Sequence, residues 1–576
     1  MITKMQKYTF LIQSSRYEEF LNTLQEAGVV HVTTKAVGAL NDEDLQSKVD
    51  QADAIRHLLK QGCPDQMVKE EADIRAQMDM VQTEARRVAP WGDFDAQVLE
   101  NLKAAGKELH FYTCSSKRFD AAWGIVVTEL SGITYFASIT PIDNEAVTEV
   151  KLVKSSAALQ ADREGLNGLL VAAKARKEAW LLANKAQLEA DLAALETAID
   201  VRQVTLSGVD EAEGTLKLLE GYCPEEKCEA LNAQLETTPC YFEAEQPTLE
   251  DAATTPIILK NNFFSRLFEP FTRMYSLPNY TEIDLTCFLA PFYTLFFGLC
   301  LGDGGYGVLI MAVAIFLLIK KPEMKNLAWM AFFLGLSTAV VGLVTGVFFG
   351  INLENVAFLA PIKQYFVTDA NFKAALGGYS PMMVFSIFIG IVQILCAMAI
   401  KAAKLWMQRG FKYSLQTLGW LIFLIAGIVL LAGTWSQTAK YVIYGVMIVA
   451  GYFILFWGNP ERKFKVLNLG GGLYGVYNMV SGLLGDVLSY IRLFALGLAG
   501  GILGSVFNQL AMQVGSSMNP WIGWLPMIVI MVFGHTLNFA LSGISAIVHP
   551  LRLTFVEFYK NAGFEGGGVE YHPFKK

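Results

Sequence analysis

Near its C-terminal end the chain reads Gly485-Asp-Val-Leu-Ser-Tyr-Ile-Arg-Leu-Phe-Ala-Leu-Gly-Leu-Ala499, which is apolar apart from one aspartate and one arginine. From Leu493 to Leu551 there is no Asp, Glu, Lys or Arg at all. About 20 apolar residues are enough for a helix to cross the hydrocarbon core of a bilayer. The stretch from Tyr474 to Tyr559 therefore predicts two long membrane helices, broken near Gly515–Ser517 and Asn519-Pro520.

Each of these two predicted helices carries one arginine, Arg492 or Arg552. A charged side chain at the centre of a bilayer costs about 3 kcal/mol or more, so it needs a partner, a water-filled cavity or a function. Arg552 is close enough to a helix end for its long side chain to reach the headgroups. Arg492 has apolar helix on both sides, and this position favours a functional role.

Small residues follow Arg492 along its helix. Small side chains let membrane helices approach one another closely. The pattern indicates either a smooth surface for a partner helix that moves past the guanidinium group, or ordinary tight packing within one bundle. These residues are Ala495, Gly497, Ala499, Gly500, Gly501 and Gly504.

Three segments of this region carry a resemblance to a known family. Besides the stretch around Arg492, they are Gly534-His-Thr-Leu-Asn-Phe-Ala-Leu541 and Val548-His-Pro-Leu-Arg-Leu-Thr-Phe-Val-Glu-Phe558. The chain resembles the membrane stator subunit of rotary V-type and A-type ATPases, called subunit a in eukaryotes and subunit I in prokaryotes. The resemblance is to the prokaryotic form and covers nearly the whole chain.

The resemblance implies an ion path made of two aqueous half-channels that open to opposite sides of the membrane, with Arg492 between them. A ring of small subunits brings membrane carboxylates past this arginine, so that rotation of the ring is coupled to ion transfer. Arg552 is implied to support the same electrostatic gate, whereas His549 and Glu557 either line a half-channel or have a structural role. The residues implied in ion translocation are Arg492, Arg552, Asp486, His549, Glu557, Ser542 and His535.

The chain departs from the family pattern at two positions. Many relatives have a glutamate where this sequence has Ser542, so both proton and sodium fit as the transported ion. The motif that leads into the membrane usually reads Glu-x-Asp-Pro-Thr, but here it reads Glu-Ile-Asp-Leu-Thr, with Leu285 in place of the proline. That change affects the local turn rather than the ion chemistry.

The composition agrees with a membrane subunit that has no catalytic site of its own. The chain has 576 residues, of which 53% are hydrophobic and 17% charged, and its net charge of −8 argues against nucleic-acid binding. It has no GxxxxGK[ST] loop, no HExxH and no nucleophile elbow. The eight cysteines form no CxxC pair and have no nearby histidines, so neither a zinc site nor a disulfide framework is implied. No metal and no cofactor are expected. The glycine-rich segment around Asp303 fits a membrane hairpin, in which the carboxylate is hydrogen-bonded to the backbone or lies near the ion path.

The first part of the chain, residues 1–280, is predicted to be a cytoplasmic arm, because its start lacks the apolar run of a signal peptide. A strand pattern at Tyr8–Gln13 is followed by a helical pattern at Arg16–Ala27 and a strand pattern at Gly28–Thr34. Apolar residues spaced three and four apart then indicate a coiled coil that is interrupted at Pro64.

A long helix predicted from Glu149 to Val204 follows a second α/β segment, and two long helices around a globular insert pair most simply as an antiparallel coiled coil. We therefore expect an α/β two-lobed dumbbell, similar to the cytoplasmic arm of the same family. Its parts are a proximal lobe of residues 1–40 and 205–250, a coiled coil of residues 42–90 and 145–205, a distal lobe of residues 91–144, and a linker of residues 251–280.

Residues 281–576 are predicted to be an α-helical membrane domain with about eight transmembrane helices, the last two long and tilted, and a short C-terminal tail. The loops after spans two, four and six hold more Lys and Arg than the loops on the other side. By the positive-inside rule both termini are then cytoplasmic, in the plasma or inner membrane of a prokaryote. The implied partners are the carboxylate-bearing ring subunits, peripheral stalk subunits, a central-stalk rotor adaptor subunit, the catalytic ATPase complex and membrane lipid.

Two other classes of protein fit parts of the pattern. A stand-alone ion transporter or channel would also place charges in membrane helices, although no inverted repeat with matching broken helices is apparent. A membrane-tethered coiled-coil scaffold would share the soluble pattern but would tolerate replacement of both arginines by alanine.

Overall fold

The computed structural model describes residues 2–33, 42–92, 94, 96–144, 146–152, 154–212, 214–353, 378–433, 435–458, 469–517 and 522–575. The chain is mostly helical and divides into two compact units. One unit is formed by Met1–Thr33 with Val209–Lys575, and the other by Thr34–Gly208. The predicted break at Asn519-Pro520, and residues 354–377 and 459–468, lie outside the described residues.

The first unit begins with an antiparallel sheet whose strands run in the order His31–Val32, Leu216–Pro224, Met5–Gln13 and Tyr241–Glu245. Helices Tyr17–Ala27 and Cys228–Leu235 complete a split β-α-β-β-α-β arrangement. The predicted elements are confirmed, but the strand predicted over Gly28–Thr34 is shorter. Gly28 adopts a left-handed conformation with φ of 60° and ends the preceding helix.

In the second unit, helices Glu43–Gln61 and Asp65–Val88 pack antiparallel against the long helix Ser156–Leu206. The predicted interruption is confirmed, because Gly62 ends the first helix in a left-handed conformation and Pro64 precedes the second. Exposed ion pairs such as Arg56–Glu196 and Arg176–Glu70 follow the antiparallel direction. Exposed ion pairs contribute little to stability, so the apolar residues between the helices hold them together.

A four-stranded antiparallel sheet lies between the paired helices in sequence. Its strand order is Ile125–Leu130, Ile133–Ser138, His110–Ser115 and Val147–Glu149. The prediction that the long helix starts at Glu149 is wrong, because Glu149 pairs with Tyr112 in this sheet. The helix instead starts after Ser155, whose side chain accepts a hydrogen bond from the Ala158 N–H as an N-cap. The dumbbell arrangement of the two lobes stays a prediction.

Eight apolar helices, named α1 to α8, follow in the first unit. Within the described ranges, six of them, α3 to α8, are long and apolar enough to cross a membrane. Helices α1 and α2 have 16 and 17 residues, or about 25 Å at 1.5 Å per residue, which is less than the roughly 30 Å of a bilayer core. The prediction of about eight crossings is therefore supported for six helices and stays a prediction for the first two. The bounds are α1 Thr286–Leu301, α2 Gly304–Lys320, α3 Lys325–Thr345, α4 Pro381–Arg409, α5 Phe411–Ala432, α6 Gln437–Phe456, α7 Leu469–Ser517 and α8 Trp524–Arg552.

Helix α1 forms the centre of the membrane core, where it contacts α3, α7 and α8. Its residues Leu289, Tyr293 and Phe296 are completely buried. The close approach depends on glycine, since a Cβ at Gly497 of α7 would lie 2.4 Å from the Leu299 carbonyl oxygen. A short helix is thus enclosed by longer ones, and α7 passes directly against its end.

The C-terminal tail returns to the first sheet after α8. Val569–Glu570 pairs in parallel with Pro256–Ile257, and the Phe574 N–H donates to the Val30 carbonyl oxygen at 2.8 Å. The Tyr571 hydroxyl donates to Val29 O at 2.6 Å. The end of the chain is therefore joined to its first thirty or so residues.

Candidate functional site

Arg492 lies on α7 between two buried residues, Tyr490 and Leu493. Its Nη1 atom is buried, and no hydrogen-bond partner for it exists among the residues that the structure describes. A buried donor without an acceptor costs about 1–3 kcal/mol, and more when it is charged. The structure therefore leaves a buried donor of a charged group without an acceptor in the described part of the chain.

His549 and Arg552 lie near the end of α8, close to Arg492. Both arginines are charged neighbours of the His549 ring, and the Nδ1 atom of this ring is also buried without a hydrogen-bond partner in the described ranges. Arg552 is exposed. In the part of the chain described, neither arginine forms a salt bridge with a carboxylate, although the Glu557 carboxyl is a neighbour of Arg552.

Two buried carboxylates lie on one side of this basic cluster. Asp486 on α7 is 6% exposed and Glu557 is 3% exposed. The Asn561 amide donates to Asp486 Oδ2 at 2.8 Å and to the Glu557 carbonyl oxygen at 2.8 Å. Glu557 Oε2 has no hydrogen-bond partner within the described residues. Asp486 precedes Arg492 by about 9 Å along the helix, so a carboxylate pair adjoins the arginine without neutralising it.

A π-helical segment, Leu553–Phe558, directly follows Arg552 and sets the direction of Glu557. Pro550 lies inside α8, and its carbonyl oxygen accepts a hydrogen bond from Thr554 Oγ1 at 3.0 Å. Regular α-helical geometry would place Glu557 about one and a half turns beyond Arg552, but this segment is not α-helical. A π-turn, with bonds between residues five apart, rotates the chain less per residue. Glu557 consequently projects towards Asp486 and the hydroxyl of Ser489.

A hydrogen bond between α4 and α7 supports the backbone next to Arg492. The Tyr490 hydroxyl donates to Gln393 Oε1 at 2.7 Å, and both side chains are completely buried. The rings fit because residue 390 is glycine, where a Cβ would lie 2.3 Å from the Tyr490 ring. Sequence reasoning missed Gln393, although a single amide in an otherwise apolar span is a detectable signal.

The predicted residues Ser542 and His535 belong to a second cluster, a buried network between α2, α7 and α8. Ser542 Oγ donates to Asn538 Oδ1 at 3.2 Å, and Asn538 Nδ2 lies 3.0 Å from the Tyr306 hydroxyl. That hydroxyl is 2.8 Å from His535 Nδ1, and His535 Nε2 is 2.9 Å from Asn508 Oδ1. Asn508 Nδ2 donates to the Phe349 carbonyl oxygen at 2.7 Å.

Donors and acceptors can be assigned throughout this network so that every hydrogen bond runs in the same direction along it. Asn508 uses its amide N–H on Phe349, so its oxygen must accept from His535 Nε2. Tyr306 accepts from Asn538 and therefore donates its own hydrogen to His535 Nδ1. The network accordingly assigns His535 as the neutral Nε2–H tautomer.

Asp303 joins the hairpin between α1 and α2 to the segment after α3. Its completely buried carboxylate accepts from the N–H groups of Gly305, Phe349 and Gly350 at 2.7–2.8 Å. The expected hydrogen bonding to backbone is confirmed. Phe349 has φ of 47°, an uncommon conformation for a residue with a side chain, and bonds to Asp303 and Asn508 hold it there.

A cleft of about 800 Å³ extends along α7 on the other side of Arg492 from the carboxylate pair. The α7 residues that line it run from Phe494, two positions after Arg492, to Gln509. Polar side chains including Asn352, Ser380, Ser386 and Ser505 line it together with Leu498 and Gly501.

The small residues after Arg492 fall into two groups, which correspond to the two predicted alternatives of tight packing within one bundle and a smooth outer surface. Gly497, Gly500 and Gly504 face their own chain, where a Cβ would meet Leu299, Ser542 and Gly350 respectively. Ala495 and Ala499 are exposed. Tight internal packing therefore explains the glycines, whereas the alanines leave a smooth outer surface.

The structure thus brings Arg492, Arg552, His549, Asp486 and Glu557 into one region, and places Ser542 and His535 in a separate polar network. Within the described residues, no group of three or more His, Cys, Asp or Glu side chains is arranged to hold a metal ion. A bundle of apolar helices with a buried unpaired arginine beside buried carboxylates defines a membrane protein with an internal polar site.

Comparison with known proteins extends this description. The profile of the V-type ATPase 116kDa subunit family matches residues 146–336 and 478–576, slightly more than half of the chain, and the chain belongs to this family. Members of this family are non-catalytic membrane subunits, so the chain is not an enzyme by itself.

Individual relatives agree with the family assignment. The chain is 29% identical to the A-type ATP synthase subunit I of Methanocaldococcus jannaschii over 75% of its own length and 65% of that protein. It is 25% identical to the V-type ATP synthase subunit I of Borreliella burgdorferi over the full length of both. It is 24% identical to the V-type ATP synthase subunit I of Chlamydia trachomatis over 99% of this chain and 98% of that protein.

Proposed function

We propose that this chain is the stator subunit of a rotary V/A-type ATPase. It forms two ion half-channels against a rotating membrane ring and couples proton or sodium translocation to ATP hydrolysis or synthesis. Family membership and the names of the relatives, all subunit I of ATP synthases, support this proposal. The single observation that carries it is the buried, unpaired Nη1 of Arg492.

The unpaired arginine determines the position at which a ring carboxylate releases its ion. A ring carboxylate that has bound an ion is neutral and is stable against lipid, whereas an ionised carboxylate needs a counter-ion in a low-dielectric environment. Arg492 supplies that counter-ion, and a guanidinium group stays charged there. Each carboxylate must therefore release its ion before it passes Arg492 and bind another afterwards.

The half-channel on the carboxylate side contains Asp486 and Glu557, with His549 and Arg552 between them and Arg492. Buried carboxylates can pass a proton or coordinate sodium. Charge in the loops predicts that this end faces the cytoplasm. The hydrogen bonds between the C-terminal tail and residues Val29 and Val30 support both termini lying on one side.

The second half-channel uses the cleft that begins near Phe494 and the network of Ser542 and His535. Ser542 stands where many relatives have a glutamate, so here a hydroxyl group rather than a carboxylate ends the network. The three backbone donors on Asp303 support a role in shaping this wall rather than in carrying the ion.

The assembly that this function requires includes a carboxylate-bearing ring, peripheral stalk subunits, a rotor adaptor subunit and a catalytic ATPase complex. Its location is the plasma or inner membrane of a prokaryote. The antiparallel helix pair of the second unit suits a stiff stator arm, with the predicted distal lobe of residues 91–144 holding the peripheral stalk.

Replacement of Arg492 tests this function. We expect Arg492→Gln complexes to assemble but to lose ATP-driven ion uptake, because the ionised ring carboxylate loses its counter-ion. Arg492→Lys keeps a charge but not the delocalised guanidinium group, and we expect a severe loss there too. Arg552→Gln is the matched control, with a smaller loss because Arg492 remains.

The measurement is quenching of a pH-sensitive dye, or uptake of labelled sodium, in vesicles that contain the complex. Assembly is checked on a native gel. Assembled Arg492→Gln complexes that pump near the parental rate would remove the basis of the proposal.

A further inference from the structure

A cavity of about 330 Å³ lies at the C-terminal end of α4. Its lining includes three basic side chains, Lys401, Lys404 and Arg409, with residues 563–565 of the tail on the opposite wall. We propose that this cavity binds the phosphate group of an anionic phospholipid.

One of the three cations is fully engaged within the protein. Lys404 is 6% exposed, and its ammonium group donates to Glu282 Oε1 at 2.7 Å, Gly563 O at 2.7 Å and Glu565 Oε1 at 3.1 Å. An ammonium group has three hydrogens, so Lys404 has no donor left for a ligand. Lys404 therefore fixes the position of residues 563–565 of the tail, and it contributes only its positive charge to the cavity.

Lys401 and Arg409 are the donors that remain. Neither has a hydrogen bond or an ion pair within the described part of the chain. Lys401 is half-buried, and its methylene groups pack against Gly563, where a Cβ would lie 3.4 Å away. Gly563 has φ of 67°, a conformation that favours glycine, and a glycine has no side chain to fill the cavity. A half-buried unpaired ammonium group facing a cavity is suited to an anion.

The position of the cavity favours a lipid phosphate over a free one. It lies where an apolar helix ends, and exposed Trp406 and Phe411 beside it contact each other with ring centroids 5.7 Å apart. Aromatic rings of this kind sit at the level of the lipid headgroups. Basic pockets at helix ends on the cytoplasmic side are suited to the phosphates of anionic lipids.

Glu565 limits which anions can enter. Its side chain is 76% exposed and bonds Lys404 at the edge of the cavity. This negative charge opposes multiply charged anions more than a phosphodiester with a single charge. Removing it is expected to strengthen lipid binding, which a purely structural role for the basic residues would not predict.

Native mass spectrometry of the purified full-length chain in detergent tests the proposal, with short-chain phosphatidylglycerol, phosphatidylcholine and inorganic phosphate as probes. We expect phosphatidylglycerol to bind more tightly than phosphatidylcholine, and Lys401→Gln to weaken it about five-fold, the worth of one lysine at a membrane surface. Glu565→Gln should strengthen binding, and Arg409→Gln should weaken it.

Lys321→Gln is the matched control, because Lys321 is an exposed lysine at the corresponding end of α2 and should leave binding unchanged. Thermal melting shows whether each variant is folded, and Lys401→Arg should retain the lipid. The proposal would be overturned if the parent chain bound the two lipids equally. It would also be overturned if the parent, Lys401→Gln and Arg409→Gln all bound phosphatidylglycerol equally. Displacement of the lipid by inorganic phosphate at equal concentration would assign the cavity to free phosphate and overturn the lipid assignment.

Discussion

The Tyr306 hydroxyl on α2 lies 2.8 Å from Nδ1 of His535 on α8, although 229 positions separate the two residues in sequence. This hydrogen bond is the central contact of a network that has one consistent direction from Ser542 to Phe349. It also joins the short helix α2 to one of the two long helices. The network therefore fixes both the tautomer of His535 and the packing of α2.

Tyr306→Phe is expected to destabilise the membrane domain by about 1–3 kcal/mol for each group left unpaired, here His535 Nδ1 and one N–H of Asn538. Tyr293→Phe is the matched control, because that buried hydroxyl makes a single long bond of 3.4 Å to Ile547 O. Thermal melting of the purified chain in detergent measures both variants. Equal melting temperatures would show that the network adds no stability.

Gly497→Ala is expected to disturb the contact between α7 and α1, because the added methyl group would lie 2.4 Å from the Leu299 carbonyl oxygen. Overpacking of this kind costs about 1–3 kcal/mol and would displace α7 close to Arg492. Gly501→Ala, one turn further on, should be tolerated, because the added methyl group would lie 3.9 Å from Val347 Cγ1, its nearest neighbour among the described residues. Assembly on native gels and ion uptake compare the two, and equal uptake by both assembled variants would contradict this expectation.

Asp486→Asn and Glu557→Gln each remove a buried charge while keeping the size of the side chain. If these carboxylates line a half-channel, ion uptake should fall about 100-fold or more, the usual worth of a positioned proton-transfer group. Assembly should be retained. Glu323→Gln, at an exposed position, is the control. Uptake that is unchanged in both assembled variants would leave Asp486 and Glu557 with a structural role only.

Docking of the C-terminal tail should weaken in acid because of Glu282. Burial acts to raise the pKa of this carboxyl, but bonds from Lys404 and from the Asn279 and Glu565 N–H groups outweigh it and hold the pKa below its ordinary 4.5. A carboxyl group whose pKa is lower in the folded state stabilises the fold at pH values above the pKa that the group has in the unfolded chain. That contribution is lost as the pH falls below about 4.5 through the folded pKa.

Hydrogen exchange of the tail tests this, with each rate compared with the intrinsic rate of an unprotected amide at the same pH, because intrinsic exchange is itself slower in acid. We expect the protection of the tail to be lower at about pH 3 than at pH 7. Glu282→Gln should lower this protection already at neutral pH, since breaking a buried pair costs about 3–5 kcal/mol. Glu565→Gln should have a small effect, because that side chain is exposed. Equal protection of the tail at about pH 3 and at pH 7 in the parent chain would refute the role of Glu282.

The apolar runs determined much of this protein without reference to its tertiary structure. Helix-length stretches without charge predicted α3 to α8, because backbone groups in a bilayer must satisfy one another within each helix. Arg492 could be singled out for the same reason, since an isolated charge is conspicuous in such a run. Several strands and helices of the soluble part followed from local periodicity. The helix Ala96–Ala104 and the strand Val147–Glu149 did not, and pairing of Glu149 in a sheet also moved the start of the long helix.

Only the tertiary structure decided which polar groups meet. Gln393 and Tyr490, or Tyr306 and His535, lie far apart in sequence, and periodicity carries no information about contacts between helices. The direction of Glu557 depended on a π-turn that helical spacing does not predict. The Asn561 partner of Asp486 and two of the three partners of Lys404, Gly563 and Glu565, come from the end of the chain, which is far from them in sequence. The sequence therefore determines which charges the membrane must hold, whereas packing decides which of them stay unpaired and available to a partner.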